Sequence, residues 1–531
     1  MYFHNTCLFL LADGCFYSSM IPLAHIPTLL LLVGYPVYWL ELYSYPHPTG
    51  HTSWLATLLF MAAAVFVCFR HQGCIRRPQL PMWFLIGAGS LAGVMILLAL
   101  LAALLPPHLS QEFDALNYHI TFPRQHLILG SFAHIPWSTA DLYFSPQDYA
   151  LAPFWLSTSL PNKWPQLVFF FGLLMLVYRL TCKAGASDEG GWLAVAAVFG
   201  CHVFVIQAGI AMLDVAICYC FFAALDSFRE GRFVLAAVEM AFCFWAKSFM
   251  PVLMGALVLG VILLCGLIRG RLGASVLFYK EGSALILRKF MIAFIVVSIF
   301  VAGPFAARSF VYGATPLFPL FAGSMNVLRS GNPANPAVIQ KAQEAMNSRD
   351  SYGMGRGPVA FLEHIFLIAV PTRGVNNPYD YPVGLTYLLF MGPFMWAFVE
   401  AFRKKKVMPE MIFIVLFWLL WWFGSQQSRF LIIPLVLLFV IMAALWKRPS
   451  RMVLFCVLVA MAFEVLSMFR AHQPDLGKSS WDVLRPQDRA WIEQAKGLSS
   501  GATIVTDKFD VAFAPFAVDV HNNPSVFVIK Y

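Results

Sequence analysis

The sequence predicts an all-α membrane protein that crosses a bilayer many times, and three observations support this prediction. Of the 531 residues, 60% are hydrophobic and 12% are charged, about half of the roughly 25% charge of soluble domains. Apolar runs recur that are long enough to cross a hydrocarbon core of roughly 30 Å. The net charge is +9, but the basic residues fall between these runs. They therefore orient helices, and we expect no nucleic-acid partner.

About thirteen apolar stretches are candidate membrane spans. The segment 7–23 is a weaker candidate for a further span, because Asp13 and Gly14 interrupt it. The sequence leaves that segment open. The predicted spans lie near 24–44, 53–70, 82–105, 164–181, 191–209, 210–228, 232–249, 251–268, 290–307, 384–402, 408–424, 429–446 and 451–469.

The basic residues of the short loops predict the orientation of these spans. All of them fall on one side if the chain has thirteen spans, and we assign that side to the cytoplasm. The large segments on the other side contain no cysteine, and the chain has no Asn-X-Ser/Thr sequon. Both observations favour a bacterial inner membrane. The basic residues are Arg70, Arg76, Arg77, Arg229, Arg232, Arg269, Arg271, Lys280, Arg288, Lys289, Arg403, Lys404, Lys405, Lys406, Lys447, Arg448 and Arg451.

Three large segments are predicted to lie outside, and they divide the chain. The second is long, polar and rich in Gly and Pro, and long loops of this kind are usually functional. The third contains a short helical pattern followed by the strand-like stretches "ATIVTD" and "VFVIKY", which predict a small α/β C-terminal appendage. The predicted order is membrane helices 1–105, external segment 106–163, membrane helices 164–307, external segment 308–383, membrane helices 384–469 and external segment 470–531.

The first external segment carries most of the candidate chemistry. Residues 113–130 are predicted to form a helix along the membrane surface that Pro123 kinks or interrupts and Gly130 ends. Asp114 lies in its first turn, and the sequence leaves two roles open for it. A carboxylate at the membrane–water boundary stays ionised, as a general base must, whereas Asp is also a preferred helix cap.

Several charged residues fall near the outer ends of predicted spans, namely Asp214, Lys247, Arg308, Arg429 and Glu464. Ionisable groups at membrane depth usually face a cavity or a partner, although Lys and Arg can also extend to the interface. Cations beside carboxylates suit a site that handles a phosphate and a hydroxyl group.

A metal ion and other cofactors are left unassigned. The residue types of His119, His134, Asp141 and Asp148 suit a divalent metal, but no tight spacing such as HExxH occurs. The sequence contains no Walker loop and no GxGxxG after a strand, so nothing favours ATP or a dinucleotide.

Six stretches between residues 106 and 445 follow one another in an order that resembles the GT-C glycosyltransferases. This superfamily of membrane enzymes includes the protein O-mannosyltransferases and the lipid A aminoarabinose transferases. The resemblance does not cover residues 1–80 or the tail. The stretches are "FDALNYHITFPRQHLILGSF", "YFSPQDYALAPFWLS", "QAGIAMLDVAICYCFFAAL", "EMAFCFWAKSFMPVL", "GPFAARSFVYGATPLFPLF" and "QQSRFLIIPLVLL".

This resemblance implies a GT-C type fold and a glycosyltransferase of the cell envelope. The enzyme would move a hexose or pentose from a polyprenyl-phosphate donor to a lipid, glycan or protein acceptor at the external face. The segment 308–383 would be a lid over the site. The implied roles are general base for Asp114, donor phosphate binding for Lys247, Arg308 and Arg429, acceptor or metal binding for Asp148 and His119, and a structural or lysine-pairing carboxylate for Asp214.

Two other functions remain open on the sequence. A surface-polysaccharide polymerase or ligase would use arginines of a long external loop, for which Arg308, Arg356 and Arg373 are available. A lipid or solute transporter would show inverted repeats and polar sites at mid-membrane depth. The sequence has no visible repeat, and its charges cluster towards one side.

Overall fold

The structure is a computed structural model, and it describes most of the chain. The tentative span 7–23 lies almost wholly outside the described residues. The described residues are 23–44, 51–70, 80–108, 112–135, 138–157, 160–273, 275, 277, 284–328, 335–347, 352–353, 355–370, 379–446, 449–484, 486–496, 503–506 and 527–530.

The described residues are almost entirely helical. In chain order the helices are α1 (Ile26–Ser44), α2 (His51–Arg70), α3 (Met82–Leu104), α4 (Thr121–Leu129), α5 (Pro146–Trp155), α6 (Trp164–Lys183), α7 (Asp188–Phe199), α8 (His202–Val205), α9 (Asp214–Arg229), α10 (Phe233–Phe244), α11 (Met250–Leu267), α12 (Ala284–Gly313), α13 (Ala322–Leu328), α14 (Pro336–Asn347), α15 (Pro358–Leu367), α16 (Leu385–Arg403), α17 (Pro409–Phe423), α18 (Ile432–Trp446), α19 (Arg451–His472) and α20 (Pro486–Lys496). Two short strands, β1 (Thr503–Thr506) and β2 (Phe527–Lys530), pair antiparallel with Thr503 opposite Lys530.

The chain is a multi-pass membrane protein. Within the described residues, eight helices are long and apolar enough to cross a membrane, and a bent helix pair raises that number to nine. Large apolar side chains on α11 and α12, such as Ile262 and Phe300, are more than half exposed, as expected for surfaces that face lipid. The eight spans are Leu23–Ser44, Met82–Leu104, Trp164–Lys183, Met250–Leu267, Leu287–Gly313, Leu385–Arg403, Ser428–Trp446 and Arg451–Asp475.

The predicted number of thirteen spans is therefore larger than the number of long apolar helices in the described part of the chain. Three predicted spans correspond to shorter apolar helices, which are Leu55–Phe66, Phe233–Phe244 and Pro409–Phe423. The predicted span 191–209 is a helix pair bent by 78°, and 210–228 is the 16-residue helix α9. Hydropathy measures the length of an apolar stretch and does not detect a break within it. Thirteen spans therefore remain a prediction.

The segment 106–163 does not lie on the surface of the helix bundle. All ten residues of α5 are buried, and α5 packs against α1. Gly34 makes this approach close, because a Cβ atom there would lie 1.9 Å from the carbonyl oxygen of Ala150. The segment is thus an integral part of the bundle, and it can hold side chains rigidly against the membrane helices.

The expected surface helix at 113–130 is divided in two. Residues Ala115–His119 form a π-helical turn, and α4 follows with Pro123 in its first turn, where a missing N–H is tolerated. Gly130 ends α4 with a left-handed φ of 59°, as predicted. Six of the nine residues of α4 are buried, so this element is packed within the protein, and its position along the membrane surface remains a prediction.

The segments 308–383 and 470–531 contain more helix than their composition suggested. Helix α12 continues to Gly313, so Arg308 belongs to a membrane helix, and α13, α14 and α15 occupy much of the rest of 308–383. From the tail, Trp481, Leu484 and Ile492 pack near Leu116. The strands β1 and β2 lie within the two strand-like stretches, while a separate α/β unit remains a prediction.

Candidate active site

A cavity of about 520 Å³ opens where the 106–163 segment, the 308–383 segment and the ends of several membrane helices meet. Charged and polar side chains line one part of it, including Asp114, His119, Asp148, Lys247 and Arg429. The 308–383 segment contributes Pro319, Leu320, Met346 and Tyr352. A second part of the wall is apolar and consists of Phe249, Leu253, Phe417, Leu420, Trp421 and Phe430. The cavity therefore joins a polar end to an apolar wall.

Arg429 is the centre of the polar end. It lies in the 3₁₀ turn Ser428–Leu431 immediately before α18. Its Nη2 atom is 2.8 Å from Oδ2 of Asp114, and its Nε atom is 3.0 Å from Oδ2 of Asp380. Nε and Nη2 also lie 3.2 and 3.1 Å from the side-chain oxygen of Gln427. One guanidinium group thus holds two carboxylates at a cavity wall.

Asp114 precedes the π-helical turn and makes no side-chain capping hydrogen bond. Its carboxylate pairs with Arg429 instead, so the structure decides against the helix-cap role that the sequence left open. Burial favours the neutral carboxylic acid, but Arg429, together with His119, Lys247 and a hydrogen bond from Tyr118, outweighs burial and holds the pKa of Asp114 below its ordinary value. Asp114 is therefore ionised at neutral pH.

The π-helical turn also explains why Asp114 and His119 line the same cavity. Hydrogen bonds in a π-helix join residues five apart, as the backbone N–H of Ile120 does by donating to the carbonyl of Ala115 at 3.0 Å. Residues five apart consequently share a face, whereas an α-helix would separate them. π-turns occur frequently at functional sites.

Sequence reasoning missed Asp380. The residue has a left-handed φ of 77°, and hydrogen bonds join the chain on either side of it to the turn that carries Arg429. The N–H of Ser428 donates to the carbonyl of Tyr379 at 2.8 Å, and the N–H of Tyr381 donates to the hydroxyl of Ser428 at 3.2 Å. Burial raises the pKa of Asp380 to about 6, against the opposing charge of Arg429. A lone Asp in "NPYDYP" carries no sequence signal that would have found it.

Lys247 and Asp214 form a second ion pair at the cavity. Asp214 is the first residue of α9, and Lys247 follows the end of α10. Lys247 Nζ lies 2.6 Å from Asp214 Oδ1 and 4.9 Å from the centre of the Phe430 ring. Lys247 lines the cavity, whereas Asp214 is 4% exposed and lies behind it. The arrangement aims one positive charge at the cavity.

His119 and Asp148 are oriented as a pair. The Nδ1 atom of His119 lies 2.8 Å from Oδ1 of Asp148, so the neutral imidazole carries its proton on Nδ1. The hydroxyl of Ser145 donates to the other carboxylate oxygen. The Nε2 atom of His119 is buried and has no hydrogen-bond partner among the residues that the structure describes. His119 lines the cavity, and this nitrogen is its free polar atom.

Arg308 does not line the cavity. Its guanidinium group lies 3.9 Å from the centre of the Phe132 ring, and Nη1 is 3.1 Å from Nε2 of His126. It also donates to the carbonyl of Asp141. Arg308 thus joins α12 to the 106–163 segment. The sequence indicated its depth in the membrane, but not the direction in which it points.

The residues present do not fit a closely held metal ion. Within the residues that the structure describes, no group of three His, Cys, Asp or Glu side chains lies close enough to hold one. His119 and Asp148 form a pair, and the third ligand is missing. We therefore derive no step through a metal.

Two of the three arginines of the polymerase or ligase hypothesis do not line the cavity. Arg356 donates to the carbonyls of Trp422 and Gly424 at 3.0 and 2.8 Å, and it fastens the 308–383 segment to the end of α17. Arg308 contacts His126 and Phe132. Arg373 lies outside the described residues.

No protein-family model matches the sequence, and no curated protein matches it. Two solved structures match, both of ArnT from Cupriavidus metallidurans, one bound to undecaprenyl phosphate and one in the apo state. They are 14% and 15% identical to this chain, with TM-scores of 0.40 and 0.38, and each match covers 78% of this chain and 69% of the other. A likeness this distant transfers no site and no activity.

Proposed function

We propose that this protein is a membrane glycosyltransferase that moves a sugar from a polyprenyl-phosphate donor to an acceptor hydroxyl. The observation that carries the proposal is the cavity itself, in which two cations and a carboxylate adjoin an apolar wall. A donor of this class has a matching structure, with a sugar and a phosphate at one end and a long apolar chain at the other.

Lys247 and Arg429 are the proposed ligands of the donor phosphate. Both line the cavity, and a phosphate oxygen accepts strong charge-assisted hydrogen bonds from ammonium and guanidinium groups. These cations would also stabilise the negative charge that develops on the leaving phosphate. We assign Arg308 to positioning, because it is buried against His126 and Phe132 outside the cavity lining.

The apolar wall is the proposed surface for the first isoprene units. Phe249 and Leu253 come from the start of α11, and Leu420 and Trp421 come from the end of α17. A polyprenyl chain in the bilayer is already in apolar surroundings, so this wall offers it van der Waals packing and not transfer out of water. A lipid chain that leaves the cavity along this wall therefore needs no further polar contact.

Asp114 is the proposed general base. The oxygen of the acceptor hydroxyl attacks the anomeric carbon, and the bond from that carbon to the phosphate oxygen breaks. Its electron pair leaves on the phosphate, and the acceptor proton passes to the carboxylate. Because Arg429 lowers the basicity of Asp114 in the resting site, a donor phosphate that draws Arg429 away makes Asp114 a stronger base.

His119 is the proposed hydrogen-bonding partner of the acceptor. Asp148 and Ser145 hold the ring, and the free Nε2 atom can accept a hydrogen bond from a hydroxyl group. The proposed site lies on the face opposite the basic loops, which would be the periplasmic face of a bacterial inner membrane. The 308–383 segment, which contributes Pro319, Leu320, Met346 and Tyr352 to the cavity wall, is the proposed lid.

The test is the transfer of label from radiolabelled polyprenyl-phosphate sugars to extracted membrane components. Asp114→Asn keeps the size of the side chain and removes the base, so transfer should fall about 10²–10⁴-fold. Asp475→Asn is a matched control, because Asp475 pairs with His108 at 3.0 Å and does not line the cavity. Equal transfer by the parent protein and Asp114→Asn would exclude Asp114 as the base. No transfer from any donor would exclude the proposed donor class.

A further inference from the structure

The ion-paired group around Arg429 and Lys247 carries more negative than positive charge, which is unfavourable for a phosphate ligand. Asp114 and Asp380 both pair with Arg429, and Asp214 pairs with Lys247. Three carboxylates therefore face two cations, and the group is left with one net negative charge. A phosphodiester would add a second negative charge at the same cations. Binding thus requires the site to give up a negative charge.

Of the three carboxylates, Asp380 is the one best placed to lose its negative charge by taking up a proton. Asp114 is paired with Arg429 inside the cavity lining, and Asp214 is almost fully buried beneath Lys247. Asp380 instead approaches Arg429 at Nε from outside the cavity lining, and its side chain is 23% exposed. Solvent can therefore supply a proton to Asp380 when Arg429 turns to another anion.

We propose that Asp380 is a positioning residue that competes with the donor phosphate for Arg429 and takes up one proton when the phosphate binds. This inference rests on the proposed function, because it assumes an anionic phosphate ligand in the cavity. With Asp380 neutral, Arg429 is free to contact the phosphate and the charge of the site is unchanged. The same exchange loosens the contact between Arg429 and Asp114.

Asp380 titrates closer to neutral pH than an ordinary carboxyl group does. Burial raises the pKa of Asp380 to about 6. Arg429 holds the pKa of Asp114 below its ordinary value, and burial holds those of Tyr118 and Tyr381 far above theirs. The charged and titratable groups that face Asp380 are Arg429, Lys247, Asp114, Asp214 and Tyr381, with Tyr118 beside Asp114.

The left-handed backbone at Asp380 limits the substitutions that keep the turn, and asparagine is one that does. Asp and Asn are among the few residues that readily adopt left-handed backbone conformations, so Asp380→Asn keeps the turn at φ 77°. The variant removes the charge and the titration together. Asp475→Asn is the matched control, since its carboxylate pairs with His108 away from the cavity.

The experiment is calorimetric titration of the purified protein with a polyprenyl phosphate methyl ester, whose phosphodiester charge is constant between pH 5 and 9. At pH 7.5, buffers of different ionisation enthalpy should report close to one proton taken up per ligand. From pH 6 to pH 8 the Kd of the parent protein should rise about 50-fold, about fivefold from pH 6 to pH 7 and about ninefold from pH 7 to pH 8. Asp380→Asn should take up no proton and show a nearly constant Kd, and Asp475→Asn should behave like the parent.

Each outcome bears on one of the two proposals. Binding by the parent without proton uptake would overturn the role of Asp380 and leave the proposed function standing. This measurement uses the parent protein alone. Weaker binding by Asp380→Asn at every pH would show that Asp380 merely holds Arg429, which also overturns the competition. Absence of binding at any pH would count against the donor class, and hence against the proposed function.

Discussion

Two clusters of ionisable residues lie at opposite ends of α9, and they differ in a way that separates chemistry from structure. The first lies at the cavity and consists of Asp114, His119, Asp148, Asp214, Lys247 and Arg429. The second surrounds Asp226, about 18 Å further along the helix, and we call it the Asp226 network. It contains His25, Arg179, Lys183, Asp226, Glu230, Arg232 and Glu239.

The two clusters contain similar types of residue, but their histidines differ in how many ring nitrogens have a hydrogen-bond partner. In the Asp226 network both ring nitrogens of His25 are engaged, Nδ1 with Glu239 at 2.7 Å and Nε2 with Asp226 at 3.0 Å. At the cavity, His119 has one ring nitrogen engaged and the other buried without a partner. A histidine with both nitrogens engaged fastens helices together. A histidine with one free nitrogen beside a cavity can bind a ligand.

The largest expected effect is on stability, in the Asp226 network. Asp226→Asn removes the carboxylate that pairs with Arg179 at 3.1 Å and Lys183 at 2.7 Å. Removing one partner of a buried ion pair costs about 3–5 kcal/mol, because the remaining charges lose their compensation. The free energy of unfolding in mixed micelles should fall by this amount, while transfer per folded molecule stays unchanged.

The matched control is Glu230→Gln in the same network. Glu230 pairs with Lys183 as well, but its side chain is 42% exposed, and exposed ion pairs contribute at most about 1 kcal/mol. Equal losses of stability for Asp226→Asn and Glu230→Gln would contradict the view that burial gives the network its strength.

The second prediction compares the two histidines directly. His119→Gln should lower transfer about 10- to 100-fold, because a hydrogen bond to a polar substrate group is lost, and should also lower the free energy of unfolding by about 1–3 kcal/mol, because buried Asp148 loses a partner. His25→Gln should lower the free energy of unfolding by more, because it breaks two contacts to buried carboxylates, and should leave transfer per folded molecule unchanged. Steady-state kinetics and unfolding in micelles check both. Loss of stability alone in His119→Gln would remove it from the site.

The third prediction concerns Arg429 and Arg308. Arg429→Lys replaces a planar fork that reaches two carboxylates with a single point charge, so the KM for the donor should rise about tenfold. Arg308→Lys should leave that KM unchanged and lower stability by about 1–2 kcal/mol, since its stacking on Phe132 is weakened. A raised donor KM in Arg308→Lys would restore Arg308 to the phosphate site.

Sequence reasoning predicted the depth of these residues better than their direction. Lys247, Arg308 and Arg429 all lie near the ends of apolar runs, and this position alone made them candidates. Hydropathy reports how far along a helix a residue lies, but not the side of the helix on which it lies. Arg308 faces Phe132 and His126, whereas Lys247 and Arg429 face the cavity. The roles of these residues remain predictions.

Asp380 illustrates what no sequence pattern could supply. Its carboxylate reaches Arg429 because a left-handed residue and hydrogen bonds to Ser428 shape the turn around it. Such contacts depend on tertiary structure between residues far apart in the chain. The long apolar helices, in contrast, followed directly from composition.

The smallest expected effect distinguishes two serines at helix N-termini. Ser145 precedes α5 but makes no capping hydrogen bond, and its hydroxyl donates to Asp148 behind His119. Ser187 precedes α7 and accepts a capping hydrogen bond from the N–H of Gly190. Ser145→Ala should therefore lower transfer about three- to tenfold, as expected for the loss of one hydrogen bond of 0.5–1.5 kcal/mol, without a comparable loss of stability.

Ser187→Ala should lower the free energy of unfolding by about 1 kcal/mol, as loss of a helix cap does, and leave transfer unchanged. The same assays of transfer and of unfolding in micelles measure both variants. If Ser145→Ala loses stability and keeps its activity, the hydroxyl serves the fold, and Asp148 orients His119 without its help. If it loses activity at constant stability, the hydrogen-bonded series from Ser145 through Asp148 to His119 acts as a unit. The free nitrogen of His119 would then owe its orientation to Ser145, which lies at the start of the fully buried helix α5.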